Sequence, residues 1–279
     1  MDYCELPAPP PFDQWITCVW FLTGRGDPNS AQPVVPDGRL ELLIHLGDPF
    51  SRLERDGSTQ WQDRLLVAGQ LTGPIHVVPG RWIDVVGVRL TPPGAHAILA
   101  IPLTQLSNQV VSLADVEPRV AKALEAAAAR PGDRTQRARV IMQLLAGMVR
   151  TEVDDRMSGA LRLLSSGYHG TLKSLAAHCG MSSRTLERRF LNEVGLSPKM
   201  YQRVVRFRRA FRMLGDETGA RRWAQVAVRA GYYDQAHLIR DFREFAGASP
   251  ISFFRSDPAL AQVFLAANHG DTRSTKKGH

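Results

Sequence analysis

The sequence predicts an α+β protein: a small antiparallel β-barrel or sandwich with following helices, then a C-terminal all-α domain of two helix-turn-helix units joined by a linker helix. Three observations predict it. Short apolar runs punctuated by turns are confined to residues 12–90, helical periodicity begins at Pro93, and a helix–turn–helix pattern recurs at an offset of 52 residues. A chain of 279 residues can bury two cores without disulfides or metal.

The strands are predicted over Trp15–Leu22, Leu40–Leu46, Leu65–Ala68, Ile75–Val78 and Ile83–Leu90. Asp27-Pro28, Pro36-Asp37-Gly38, Asp56-Gly57 and Pro79-Gly80 break the chain between them, as turn residues do in small all-β units. Helices are predicted over Ala95–Ile101, Val116–Arg130 and Arg134–Thr151, the last two split by Pro131-Gly132-Asp133. These features divide the chain into a β-rich domain (1–115), a helical connector that is a candidate for dimerisation (116–152), a domain of two helix-turn-helix units (153–255) and a tail (256–279). The tail ends in Gly, Ser, Thr and Lys and is expected to fray.

The repeat carries the functional argument. Phe190, Gly195, Ser197 and Pro198 recur as Phe242, Gly247, Ser249 and Pro250, so one supersecondary unit occurs twice. Upstream of each Phe lies a helix pair: Leu172–Cys179 and Ser183–Val194, then Trp223–Ala230 and Gln235–Phe245. Leu175, Leu186 and Phe190 hold one apolar face, and Val226, Leu238 and Phe242 hold the other. Gly180 and Gly231 supply the turns, and Ser182 and Asp234 are placed as N-caps. This is the layout of a helix-turn-helix, whose second helix enters the major groove. Between the units, Pro198–Leu214 reads as one helix, with Tyr201, Val204, Phe207, Phe211 and Leu214 inward and Arg203, Arg206, Arg208, Arg209 and Arg212 mostly outward.

Charge points the same way. The formal total of +8 resolves into −2 over residues 1–152, +9 over 153–255 and +1 over 256–279. A basic segment containing two reader helices suits a polyanionic duplex. The face one, two, five and six residues beyond each cap gives Ser183, Arg184, Glu187 and Arg188 in the first unit and Gln235, Ala236, Ile239 and Arg240 in the second. Arginine can bond guanine O6/N7 and glutamate can accept from cytosine N4, whereas Ala236 and Ile239 offer only apolar contact to a thymine methyl. The alternative for Glu187 is a charge partner for Arg184 or Arg188. Arg189 and Arg206 are the candidates for backbone phosphate.

The stretches SLAAHCGMSSRTLERRF, GLSPKMYQRVVRFRRA, AQVAVRAGYYDQAHLIRDF and GASPISFF resemble the double helix-turn-helix domain of AraC/XylS-type regulators. The resemblance spans roughly residues 155–255 and implies a bacterial, promoter-binding transcription regulator. Such a protein is usually an activator that contacts RNA polymerase, often dimerises, and senses a small-molecule effector through its N-terminal domain. It also makes Arg184, Glu187 and Arg188 the base-reading positions of the first unit. PDGRLELLIHLGDPF and VVGVRLTPPGAHAILAIPLTQLSNQVVSL are similar to the N-terminal region of poorly characterised members of that family. The N-terminal domain is read first as an effector sensor and, close behind, as a dimerisation or protein-binding module.

An enzymatic alternative is a metal-dependent, cupin-like domain built on His45, His76 and His96, but these are solitary in sequence rather than paired as ligands. A second alternative, an alkyl-acceptor protein fused to a DNA-binding domain, lacks the Pro-Cys-His-Arg-type context at Cys4 and Cys18. No phosphate-cradling loop or nucleophile elbow occurs. The expectation is therefore a non-enzyme without catalytic residue, metal or cofactor. The three cysteines, Cys4, Cys18 and Cys179, are read as reduced thiols, with Cys179 in the core of a helix. With no apolar run of about 18 residues and a proline-rich start, MDYCELPAPPP, the expected location is the cytoplasm, away from membranes.

Overall fold

The computed structural model describes residues 1–54, 56–215 and 223–255; the tail expected over 256–279 lies outside the described residues. Strands β1 (Asp2–Pro7), β2 (Ile16–Arg25), β3 (Gln32–Val34), β4 (Leu40–His45), β5 (Ser51–Leu53), β6 (Thr59–Trp61), β7 (Leu65–Ala68), β8 (Ile75–Val78) and β9 (Trp82–Leu90) come first. Helix α1 (Pro92–Leu99), strand β10 (Val110–Ser112) and helices α2 (Leu113–Val116), α3 (Pro118–Ala128) and α4 (Arg134–Ala146) follow. The strands form an antiparallel sandwich that does not close into a barrel: a six-stranded sheet, β1-β2-β9-β4-β7-β10, and a four-stranded sheet, β3-β8-β5-β6.

Strand alternation splits the six-stranded sheet between two environments. Val19, Phe21, Leu40, Leu42, Ile44, Val86 and Val88 pack beneath α1, α3 and α4. Their neighbours Cys18, Trp20, Leu22, Ile83 and Val85 face the second sheet. Burial on both faces explains the nearly continuous apolar runs in β2 and β9. Trp20 lies directly over Gly87, where a Cβ would fall 1.9 Å from the indole. Arg89, fully buried, is held by Glu41 Oε1 at 2.7 Å and Glu5 Oε1 at 2.5 Å, and Glu5 thereby pins β1 to the sheet edge. The opening segment, with its proline and acidic residues, carries no apolar alternation. Its strand character comes from this ion pair and from pairing with β2.

The C-terminal half is helical: α5 (Asp155–Ser166), α6 (Leu172–His178), α7 (Ser183–Val194), α8 (Pro198–Gly215), α9 (Trp223–Ala230), α10 (Gln235–Ala246) and α11 (Pro250–Arg255). Among the described residues, six of these starts carry a side-chain cap, Asp154 accepting from the Arg156 N–H at 2.7 Å ahead of α5. Thr171, Ser182 and Asp234 accept from the backbone N–H three residues on, at 3.1, 3.1 and 2.7 Å. Ser197 and Ser249 do the same ahead of Pro198 and Pro250, at 3.2 and 3.3 Å. Such caps stabilise by about 0.5–2 kcal/mol each. Cys179 is the buried C-cap of α6. The core gathers Leu175, Leu186 and Phe190 from the first unit and Val226, Leu238 and Phe242 from the second around α8. Phe207 sits at its centre, 5.2 Å from Phe242 and 5.3 Å from Phe245 between ring centroids.

The two halves share surface. Val35 enters the helical core, Gly38, in the left-handed region at φ 78°, sits against Tyr201, Val204 and Val205, and Arg208 Nη1 donates to the Asp37 carbonyl at 3.1 Å. Ser107 Oγ donates to the Gly195 carbonyl at 2.5 Å, and Pro74 lies against Gly247.

His45, on β4, is 3% exposed. Burial, with the charge of Arg64 adding to it, pushes its pKa from 6.5 down to about 4. Above pH 6.5 the ring is neutral folded and unfolded, and costs nothing. As pH falls towards 4, the unfolded chain takes up a proton that the folded ring refuses, so stability declines through that window, by up to about 3 kcal/mol. Denaturant unfolding at pH 7 and pH 4.5 should show a larger acid loss for wild type than for His45→Leu; equal losses would contradict the neutral buried ring.

Candidate nucleic-acid interface

The two reader helices, α7 and α10, present their first two turns outward because their caps stop the chain sharply and their apolar stripes face α8. In α7, Leu186, Phe190 and Val194 are buried, which leaves Arg184, Glu187 and Arg188 exposed and Ser183 half-buried. Among the described residues these three charged side chains make no hydrogen bond or ion pair with one another, so Glu187 is not engaged as a local partner. In α10, Leu238, Asp241, Phe242 and Phe245 are buried; Gln235, Ala236 and Arg240 are exposed and Ile239 is half-buried. The structure thus brings the expected residues onto one outward face per helix, with four hydrogen-bonding side chains on the first and two on the second.

Arg189 and Arg206, the candidates for phosphate, are occupied inside the domain. Arg189 donates to Glu193 at 2.6 Å and to Asp154 at 2.5 Å, clamping α7 to the N-cap of α5. The Glu193 hydrogen bond raises its pKa, and Arg189 in turn lowers that of Asp154. Arg206 stacks 4.5 Å over the Tyr232 ring and donates to Asp241 at 3.2 Å. Its Nη2 also lies 3.2 Å from His237 Nε2. With an arginine donor there, Nε2 accepts and the imidazole is neutral, in keeping with a pKa lowered by burial and by Arg206.

The other linker arginines are likewise not the outward row that their spacing suggested. Arg203 donates to Asp241 at 2.7 Å and to Glu244 at 2.5 Å. Arg209 caps carbonyls of Ser165 at 2.7 Å and Ala230 at 3.4 Å, and Arg208 reaches Asp37. Burial first, then the neighbouring Arg39, brings the Arg208 pKa down to about 10. The missed signal is Asp241: an acid between Leu238 and Phe242, in the buried register of a reader helix, requires basic partners, and α8 supplies two.

Sequence reasoning also passed over Tyr233. It stands 91% exposed in the turn of the second unit, immediately before the Asp234 cap.

The alternative metal site does not assemble. His45 faces the interior between the sheets, His76 is exposed on β8, and His96 on α1 meets Asn192 of α7 at 3.4 Å. Among the described residues no group of three or more His, Cys, Asp or Glu is placed to hold a metal, and no described helix is long and apolar enough to cross a membrane.

Comparison with known proteins agrees with this geometry. Residues 175–256 match the family described as a helix-turn-helix domain, and residues 4–112 match a domain of unknown function (DUF6597). No curated protein matches the chain. Among solved structures, a variant of apo ToxT from Vibrio cholerae strain SCE256 is 8% identical, with a TM-score of 0.49, 85% of this chain covered and 97% of that one. A probable AraC family transcriptional regulator from Rhodopseudomonas palustris CGA009 is 24% identical, with a TM-score of 0.33 and coverage of 37% and 98%. A DNA-binding transcriptional dual regulator from Escherichia coli K-12 is 23% identical, with a TM-score of 0.31 and coverage of 36% and 91%. The match over 175–256 coincides with both outward helices, α7 and α10, and the helix between them, and this part of the chain is a helix-turn-helix domain.

Proposed function

We propose that the protein binds promoter DNA sequence-specifically through α7 and α10, each in a major groove, and that its N-terminal domain adjusts that binding in response to an effector. The observation that carries the reading is the pair of capped helices with outward polar faces on one shared core. Base reading is assigned to Ser183, Arg184, Glu187 and Arg188 in the first unit and to Gln235, Ala236, Ile239 and Arg240 in the second. Arg189 and Arg206 act through position, the first by fixing α7 to α5 and the second by fixing α10 to α8. The division into 1–115, 116–152, 153–255 and 256–279 follows these roles, with the sandwich net acidic and without a reader helix. RNA polymerase as a partner, homodimerisation through 116–152 and a cytoplasmic location belong to the same reading, which assigns no enzymatic activity.

The test is selection of duplex sites from a random pool by the full chain, followed by mobility shift. No shift even near about 50 mM salt would remove the central claim. Loss of a bidentate arginine–guanine contact costs about 1–3 kcal/mol at one base pair. Arg188→Ala should therefore flatten one position of the selected motif without lowering the melting temperature. Arg189→Ala should lower the melting temperature and leave base preference intact. If Arg188→Ala preserves the motif while Arg240→Ala erases it, the first unit is not the principal reader.

The exposed Ala236 gives a gain-of-contact test. Ala236→Gln should fold normally and add a preference for adenine, because the amide matches the adenine N6/N7 edge. An unchanged selected motif would place this position outside the groove.

A further inference from the structure

Between the two sheets of the N-terminal domain lies a chamber of about 100 Å³, walled chiefly by apolar side chains such as Trp20, Leu22, Phe50, Val77 and Val85. An apolar cavity of ~150 Å³ takes up benzene, so a chamber of about 100 Å³ sets a single small ring as its upper limit. Four ionisable groups interrupt the wall: Asp37, Arg39, Glu41 and His45. Three of them are engaged. Glu41 binds Arg89, Asp37 Oδ1 accepts from the Arg39 backbone at 2.9 Å, and Arg39 Nη1 donates to Thr17 Oγ1 at 2.7 Å.

His45 is the exception. It is 3% exposed, packs against Phe50 at 4.9 Å between ring centroids with the planes tilted by 55°, and neither ring nitrogen has a hydrogen-bond partner. A buried polar group without a partner is costly. A neutral imidazole offers one donor and one acceptor, which a hydroxyl can satisfy from either side. The wall's one guanidinium, Arg39, is already held by Thr17 and by its place beside Asp37, so a ligand anion would meet no unengaged cation among the described wall residues.

The same walls touch the DNA-binding domain. The segment Val34–Arg39 lines the chamber and seats Val35, Asp37 and Gly38 on α8. The stretch from Ala68 to Ile75 lines it and presents Pro74 to Gly247. Val110 lines it three residues beyond Ser107, which holds Gly195. Thr72 N and Oγ1 both donate to Asn108 Oδ1, at 2.8 and 3.1 Å, tying the last two segments together. Gly195 and Gly247 are equivalent positions of the repeat, the left-handed C-caps of α7 and α10 at φ 84° and 74°. The sandwich therefore touches both readers at the same place.

We propose that this chamber binds an uncharged, monocyclic alcohol or phenol through the His45 ring, and that its occupancy changes DNA affinity by shifting the supports of α8, Gly195 and Gly247. The second half rests on the promoter-binding reading above; the first half does not.

Phenol is the probe, with benzoate as the anionic counterpart and toluene as the apolar one, titrated calorimetrically into the full chain without DNA. Phenol should bind and benzoate should not. His45→Leu should weaken phenol about tenfold or more while retaining toluene, and His45→Gln, whose amide also donates and accepts, should recover part of the loss. No phenol binding, tighter binding of benzoate, or equal phenol affinity in wild type and His45→Leu would each overturn the site. On selected DNA, phenol should change affinity about fivefold or more, a typical coupling. Asn108→Gly suits the φ of 60° at that position and removes the tie to Thr72; it should bind phenol normally and show a smaller change. Phenol binding with unaltered DNA affinity would overturn the coupling and leave the site standing. Absence of DNA binding without any phenol would instead count against the promoter-binding reading.

Discussion

Helix α8 is held on two sides by different chemistry, and its position governs that of both reader helices. On one side Phe207 and Phe211 meet Phe242, Phe245 and Phe253, with ring centroids 5.2–5.8 Å apart. On the other, Asp241, 2% exposed, accepts from Arg203 and Arg206. Aromatic burial supplies most of the free energy, because each ring removes a large apolar area from water. The ion pairs supply direction. An unpaired carboxylate in that position would be severely penalised, so α10 has one rotational setting about its axis in which Asp241 is satisfied, and that setting determines which side chains point outward.

The fold of the helical half was largely legible because its signals are local. Caps at Ser182 and Asp234, the Ser-Pro pairs and the recurring Phe fixed helix starts and faces within a turn. Helix α5 went unread although its signals are of the same kind, an Asp154 cap ahead of the Met157, Ala160, Leu161 and Leu164 stripe and Gly167 behind it. In the N-terminal half the five longer apolar runs were legible, whereas β1, β3, β5, β6 and β10 were not. Those strands are short or polar and exist because a neighbour offers an unpaired edge, which is information that lies far away in sequence. The closure into a barrel or a sandwich was likewise undetermined by periodicity, since both alternate in the same way.

The reader faces were legible for the same local reason. The roles of the arginines were not. Counting charge treats every guanidinium as available, yet Arg89 is buried among strands, and Arg189, Arg203, Arg206, Arg208 and Arg209 bind acids or carbonyls within the chain. A guanidinium has five donors in a fixed fork, which makes it as suitable for joining helices as for holding phosphate. Only the location of an acceptor such as Asp241 or Asp154 distinguishes the two uses.

That internal use of arginine bears on how the protein searches a genome. Sequence-independent attraction to duplex DNA grows with the number of phosphates neutralised and counterions released, and guanidinium groups already bound to carboxylates contribute little to it. The number of cationic groups open to phosphate is thus smaller than the 18 Lys and Arg of residues 153–255. On the promoter-binding reading proposed above, a larger share of the discrimination between a promoter and other duplex sequence would then fall on the few exposed side chains of α7 and α10.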